Sequence, residues 1–238
     1  MPELIMTEGN AGEEEFRMEK EIQVWLSRRF LYGMFAVTLA NPLEEKWPRE
    51  LFTPSFLCLM ESLQLSETLR GELETLEDVV QDPFRFPQLL AEARSEYQRL
   101  FAVPLKGSMV SLGAAAYLPQ EIDLYRRRAA FEGWYERFGF NWREYLSGTC
   151  GVWPNEPEHA VLILALLAIL ADEIVTSLEE RDGLDRDLEQ VGQEILDMAR
   201  EWLPQCLSAI ENQSRSLFYR TFAQLSREIL VQDDWRRL

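Results

Sequence analysis

The stretch "PNEPEHAVLILALLAILADE", residues 154–173, decides the fold. It holds the one histidine of the chain, His159, directly before an unbroken apolar run from Ala160 to Ala171. Three readings compete: a membrane anchor, a catalytic site, or the central helix of a soluble bundle with something mounted at its start. The run is twelve residues long and closes on Asp172 and Glu173, whereas a spanning helix needs about 20 apolar residues. A helix that is apolar on every side but too short to span is one buried on every side. Burying it takes a shell of other helices, and 238 residues suffice to build one.

The flanking sequence supplies that shell. Phe16, Ile22, Trp25, Leu26, Phe30, Met34 and Val37 have the spacing of an amphipathic helix. Thr53-Pro54 places a capping residue before a first-turn proline and opens a helix through Leu63. Ser66 starts another, with Leu69, Leu73, Leu76 and Val80 at helical spacing, and a third begins at Pro87. Residues 102–117, rich in glycine and small side chains, read as a loop, and residues 120–139 read as a helix. A second loop, 140–154, is a candidate hinge, and two long helices from about Leu184 and Ser214 finish the chain. No segment alternates with period two. The expectation is an all-α, single-domain bundle of about eight helices around 160–171, spanning 14–238 behind a disordered acidic tail, residues 1–13.

The formal charge is −17, with only Lys20, Lys46 and Lys106 as lysines. Such a surface repels nucleic-acid phosphate and anionic lipid, so neither nucleic-acid binding nor stable membrane insertion is expected. It attracts a cationic peptide. Cys58, Cys150 and Cys206 are widely spaced and include no CxxC pair, which indicates neither a zinc site nor a disulfide framework. A reducing compartment, the cytoplasm, fits this cysteine usage.

"LSRRFLYGMFAVTLANP" (26–42) imitates a twin-arginine export signal. The segment before it, "EGNAGEEEFRMEKE", is acidic where a targeting region is positive. The apolar part is short and the spacing helical, so a core helix is the reading.

The chemistry of the opening stretch is sparse. A metal-binding His159 wants partners at helical spacing, and positions 162, 163 and 166 are aliphatic. No nucleophile elbow surrounds Cys150, and no P-loop or dinucleotide fingerprint occurs, so no cofactor is expected and a hydrolase using His159 is a minor alternative. Asn155-Glu156-Pro157-Glu158 matches a capping box, with Asn155 as the cap and Glu158 reaching back to it. Arg126, Arg127 and Arg128 fan around a helix and read as a solvated face paired with Glu121 and Glu132.

Taken in order, four blocks resemble the TorD/DmsD/NarJ family, the dedicated maturation chaperones of molybdenum-containing redox enzymes. "EYQRLFAVP" (96–104) is similar to the family's Tyr-x-Arg-Leu-Phe segment. "VSLGAAAYLPQEIDLYRRRAAFEGWYERFGF" (110–140) looks like its Ser/Tyr loop and aromatic-ended helix. "NEPEHAVLILALLAIL" (155–170) resembles its Pro-Asp-His signature, and the block from Met198 to Leu230 fits its C-terminal helices. The resemblance implies a TorD-like, non-enzymatic cytoplasmic chaperone. Its partner would be the apo catalytic subunit of a molybdopterin-containing oxidoreductase, bound through the N-terminal twin-arginine signal peptide before export. It implies client-binding residues at Pro157, Glu158 and His159, with Tyr97, Tyr117 and Trp153, and a monomer or domain-swapped homodimer. Glu158 stands where the family has Asp. A NarJ-like assembly chaperone for a membrane-bound reductase without a functional leader is the alternative within the family.

Overall fold

The computed structural model describes residues 8–54, 56–57, 60, 63–102, 109–119, 121–148, 156–180 and 185–236. Among them are ten α-helices and no strand: α1 Glu8–Ala40, α2 Lys46–Glu50, α3 Glu67–Gln81, α4 Phe86–Tyr97, α5 Leu124–Arg137, α6 Trp142–Ser147, α7 Ala160–Glu179, α8 Arg186–Arg200, α9 Leu203–Gln213 and α10 Leu217–Gln232. The fold is an all-α bundle.

α7 is its axis. Every side chain from Ala160 to Leu167 is buried, and Leu170, Ala171, Ile174, Val175 and Leu178 continue the contact. Each large aliphatic side chain taken fully out of water contributes about 1.5–3 kcal/mol. Asp172 and Glu173 close the apolar run but not the helix. They fall on its solvent face, and the helix runs on to Glu179. At 20 residues and a mean hydropathy of 2.3 it is long and apolar enough to cross a membrane by length and composition, but 67% of that window is buried against the rest of the chain.

α1 lies along α7. Ser27–Leu31 sit within it, and both arginines of the signal-like motif are engaged at home. Arg28 binds the Asp233 carboxylate at 2.8 Å and stacks over Trp25, and Arg29 pairs with Asp172 at 2.5 Å. α3 starts where the sequence places it, the Ser66 hydroxyl accepting from the Leu69 amide. Pro54, Phe56, Leu57 and Met60 are helical, with Thr53 Oγ1 accepting from the Phe56 amide at 3.4 Å.

Four elements depart from the sequence reading. α1 is helical from Glu8, inside the stretch 1–13 that the sequence reading assigns to an acidic tail. The C-terminal part holds three helices, not two, because Pro204 in the first turn of α9 starts a new helix after Trp202. The 140–154 segment contains α6, capped by the Asn141 side chain on the Glu144 amide. The end of α4 widens into a π-turn over Gln98–Ala102.

The C-terminal segment is strapped to the bundle. Trp235, fully buried, lies against Trp25 at 4.9 Å between ring centres and donates its amide to Gln193 at 2.8 Å. Its ring fills the space above Gly192, where a Cβ would stand 1.9 Å from it.

Candidate functional site

α7 begins one residue after His159, whose extended backbone (φ −108°, ψ 138°) makes it the cap. Its Nδ1 accepts the Val161 amide at 3.3 Å. This corrects the capping-box reading: Glu158 precedes the cap, and its side chain is turned elsewhere. Asn155 lies outside the described residues.

The loop before Tyr117 is laid antiparallel on this helix start. The Ala114 amide donates to the Glu158 carbonyl at 3.1 Å, and the Ala160 amide donates to the Leu112 carbonyl at 2.8 Å. Gly113 faces His159 between them. A Cβ on Gly113 would come 2.2 Å from the Glu156 carboxylate, so any side chain there displaces Glu156. From the other side the Tyr135 hydroxyl donates to the Pro157 carbonyl at 2.6 Å. Residues 157–159 are thus held by main-chain bonds on both flanks.

The Glu158 carboxylate is buried against Arg127 of α5. Arg127 Nε stands 3.0 Å from both carboxylate oxygens, and its Nη2 also donates to one of them. The same guanidinium donates to the Met198 carbonyl at 3.0 Å and to the Glu201 carboxylate. Burial opposes the charged form of Arg127, but the hydrogen bond and charge of Glu158, with Glu201 behind them, hold its pKa above the ordinary value. The arginine is therefore a buried tie between α5, the start of α7 and the end of α8, and not the solvated face that its two neighbours suggest. Those neighbours, Arg126 and Arg128, are exposed. Arg128 reaches Glu156 at 3.8 Å, and Glu132 pairs with Arg143 at 3.3 Å.

Burial sets the remaining ionisations. It pushes the His159 imidazole down to about 3, so the ring is neutral at physiological pH. It raises the Tyr135 phenol, with the nearby Glu158 charge adding to the shift. Glu156, half out of solvent, is raised by burial despite Arg128. Tyr117 donates to the Ser111 carbonyl at 2.8 Å and stacks on Trp202 at 6.0 Å and 18°. Behind it the buried Cys206 thiol points at the same carbonyl and is pushed up to about 12.

The structure thus brings Pro157, Glu158, His159 and Tyr117 into one loop–helix junction. Tyr97 is placed at the end of α4, its hydroxyl on the Ala40 carbonyl at 2.6 Å and its ring against Phe101. Trp153 lies outside the described residues. Arg127, Tyr135, Gly113 and Glu201 also belong to the junction, and the sequence reading gives none of them a part in the site. Arg127 had a signal: it stands four residues before Phe131 and eight before Tyr135, on the buried stripe of α5. Chemically the junction is a fixed platform. His159 has no exposed surface to offer a substrate, and the carboxylates facing outward are Glu201, whose side chain is 49% exposed, and Glu156 at 19%. Among the described residues no group of three or more His, Cys, Asp or Glu side chains could hold a metal ion.

A family model described as nitrate reductase delta subunit matches residues 63–208, more than half of the chain and the whole of this junction. No curated protein and no solved structure matches the chain significantly.

Proposed function

The chain belongs to the nitrate reductase delta subunit family, the NarJ/TorD type of molybdoenzyme assembly chaperone, and from that premise we propose that it binds the apo catalytic subunit of one molybdenum-containing oxidoreductase in the cytoplasm. In this reading it engages the subunit's N-terminal twin-arginine leader and delays export until the molybdopterin cofactor is in place. It acts by binding and catalyses no reaction. The observation that carries the reading is the family match across the span that builds the junction.

Physical chemistry supports it. A leader offers a guanidinium pair and an apolar segment, and a surface of charge −17 draws the first by long-range attraction. Glu158 is already occupied by Arg127, so the direct ionic contacts to the client fall to Glu201 and Glu156 at the rim. Pro157, Glu158 and His159 then serve the client as the rigid seat that holds these carboxylates and the Tyr117 loop in position. A carboxylate–guanidinium contact at such a seat is a charge-assisted hydrogen bond, stronger and more directional than a neutral one.

A second reading draws on the description of the matched family, which names nitrate reductase. It makes the client a subunit of a membrane-bound reductase that has no functional leader. One experiment tests both. The chain is immobilised in native cytoplasmic extract, and bound partners are identified by mass spectrometry. Capture of an apo molybdoenzyme subunit is expected. Loss of capture when the subunit's first residues are deleted favours the leader reading, and retention favours the second. Capture of no molybdoenzyme overturns both.

A further inference from the structure

An apolar groove opens between α3 and the segment before it. Phe52, Phe56, Leu57, Met60, Leu65 and Leu73 line it together with Arg70, and its volume is about 350 Å³. That lies at the small end of ligand clefts, about 300–1,000 Å³. It accommodates a few large side chains from one face of a helix, not a whole peptide.

The rim is acidic. α3 carries Glu67, Glu72, Glu74, Glu77 and Asp78 against the single base Arg70. Glu74 and Glu77 border the groove. Glu77 accepts from Gln81 of its own helix at 2.8 Å, and among the described residues no basic side chain pairs with Glu74 or Glu77. Arg70 also borders the groove, and its side chain reaches back toward the Leu63 carbonyl at 3.5 Å. An apolar slot whose rim carries two carboxylates and one arginine, with no base paired to either carboxylate among the described residues, favours a helix with an apolar face and basic residues next to it. An equally apolar acidic helix meets like-charge repulsion at the same rim.

We propose that this groove docks a basic amphipathic helix of the client polypeptide, its apolar face between Phe56 and Leu73 and its arginines or lysines over Glu74 and Glu77. The proposal rests on the reading of the chain as a client-binding chaperone. It adds a second contact to the junction at the start of α7, where the one buried carboxylate is taken by Arg127.

The probe is a synthetic helical peptide with a leucine and phenylalanine face flanked by two arginines, and its twin with two glutamates, each titrated calorimetrically into the full chain at low salt. The arginine peptide binds and the glutamate peptide does not. Leu73→Glu weakens binding about tenfold or more, as a polar group in an anchor pocket does. The double variant Glu74→Lys/Glu77→Lys changes only rim side chains and so keeps the fold. It weakens binding about fivefold and removes most of its salt dependence. Circular dichroism checks that both variants remain folded. Unchanged affinity in the double variant, equal binding of the two peptides, or a concentration-dependent dimer that Leu73→Glu abolishes overturns the proposal. If the parent still captures its molybdoenzyme, the groove assignment alone has failed; if it captures none, the client-binding reading has failed as well.

Discussion

Arg127 on α5 and Glu158 at the start of α7 form a buried, two-pronged ion pair, with Nε 3.0 Å from each carboxylate oxygen. They are 31 residues apart in sequence, and the pair clamps the segment that leads into α7 to α5. The same guanidinium also donates to the Met198 carbonyl and the Glu201 carboxylate, so two carboxylates share its charge.

This pair makes Glu158→Gln costly. A capping-box glutamate would tolerate the change almost silently, because glutamine serves the same position. Removing one charge of a buried pair instead costs about 3–5 kcal/mol, since the partner stays behind uncompensated. Glu201 still faces Arg127, which puts the expected loss at the low end of that range. Arg127→Met should cost at least as much. The double variant Arg127→Met/Glu158→Leu should recover part of the loss. Urea unfolding of the four proteins measures the cycle, and additive single losses would deny the coupling.

The His159 imidazole gives the fold a pH dependence of known sign. Its pKa falls from 6.5 to about 3 on folding, because burial disfavours the cation. Between those values the unfolded chain binds more protons than the folded one, so stability rises with pH. It is complete above the unfolded value and declines as pH falls through the window. A unit below the unfolded value corresponds to about 1.4 kcal/mol. His159→Asn keeps a capping acceptor but cannot titrate. Its stability should change less than the parent's between about pH 6 and pH 5, by roughly 1 kcal/mol. Parallel curves from chemical unfolding at the two pH values would contradict this.

The features legible in the sequence were those with local periodicity. The apolar run identified α7 as the bundle's axis, and helical spacing identified α1 despite its export-signal disguise. Ser66 and Asn141 show the difference between seeing a cap and using it. Ser66, before a run of helically spaced leucines, signals a helix start, while Asn141, an equally good cap, precedes only a six-residue helix with too few turns to show a period. The junction was half legible. Pro157 to His159 stood out by composition, but their roles depend on which side chain reaches them from α5, a long-range fact. The sequence reading treats Arg127 like Arg126 and Arg128, although a step of one residue, about 100° around the helix, separates a buried position from an exposed one. The His159 cap was hidden because Asn155 and Glu158 also satisfy a capping pattern, and only backbone geometry chooses between the two starts.

The C-terminal strap depends on a single missing side chain. Gly192 lies directly under the Trp235 ring, and a Cβ there would come within 1.9 Å of it. Gly192→Ala should therefore expel or tilt the indole and cost about 1–3 kcal/mol, the usual range for overpacking. Trp235→Ala should cost about 3–5 kcal/mol through the cavity it leaves. The two changes should be strongly non-additive, because once the ring is gone the new methyl has space. Thermal unfolding supplies the energies. A red shift of tryptophan emission in Gly192→Ala reports the displaced indole, and unchanged emission with unchanged stability would rule out the clash.

The junction should separate binding from stability, and the separation tests the proposed role of its rim. Glu201 is half exposed and touches the outer nitrogen of Arg127, leaving the Arg127–Glu158 contact intact if its charge is removed. Glu156 is bonded only loosely, at 3.8 Å from Arg128. The double variant Glu156→Gln/Glu201→Gln should therefore lose little stability, about 1 kcal/mol or less for each partly exposed pair. If these carboxylates receive the client's guanidinium groups, affinity for the captured subunit should fall about tenfold or more, because each charge-assisted contact is worth roughly 1.5–3 kcal/mol. The parent's affinity should also drop with added salt, and the variant's should hardly respond. Glu158→Gln differs in kind: it loses stability first, and loses binding only to the extent that the seat shifts. Calorimetric titration of the client into each protein at low and high salt, beside their melting curves, separates the two effects. Parent-like affinity and salt response in the double variant would remove the rim from client recognition and leave the junction a purely structural clamp.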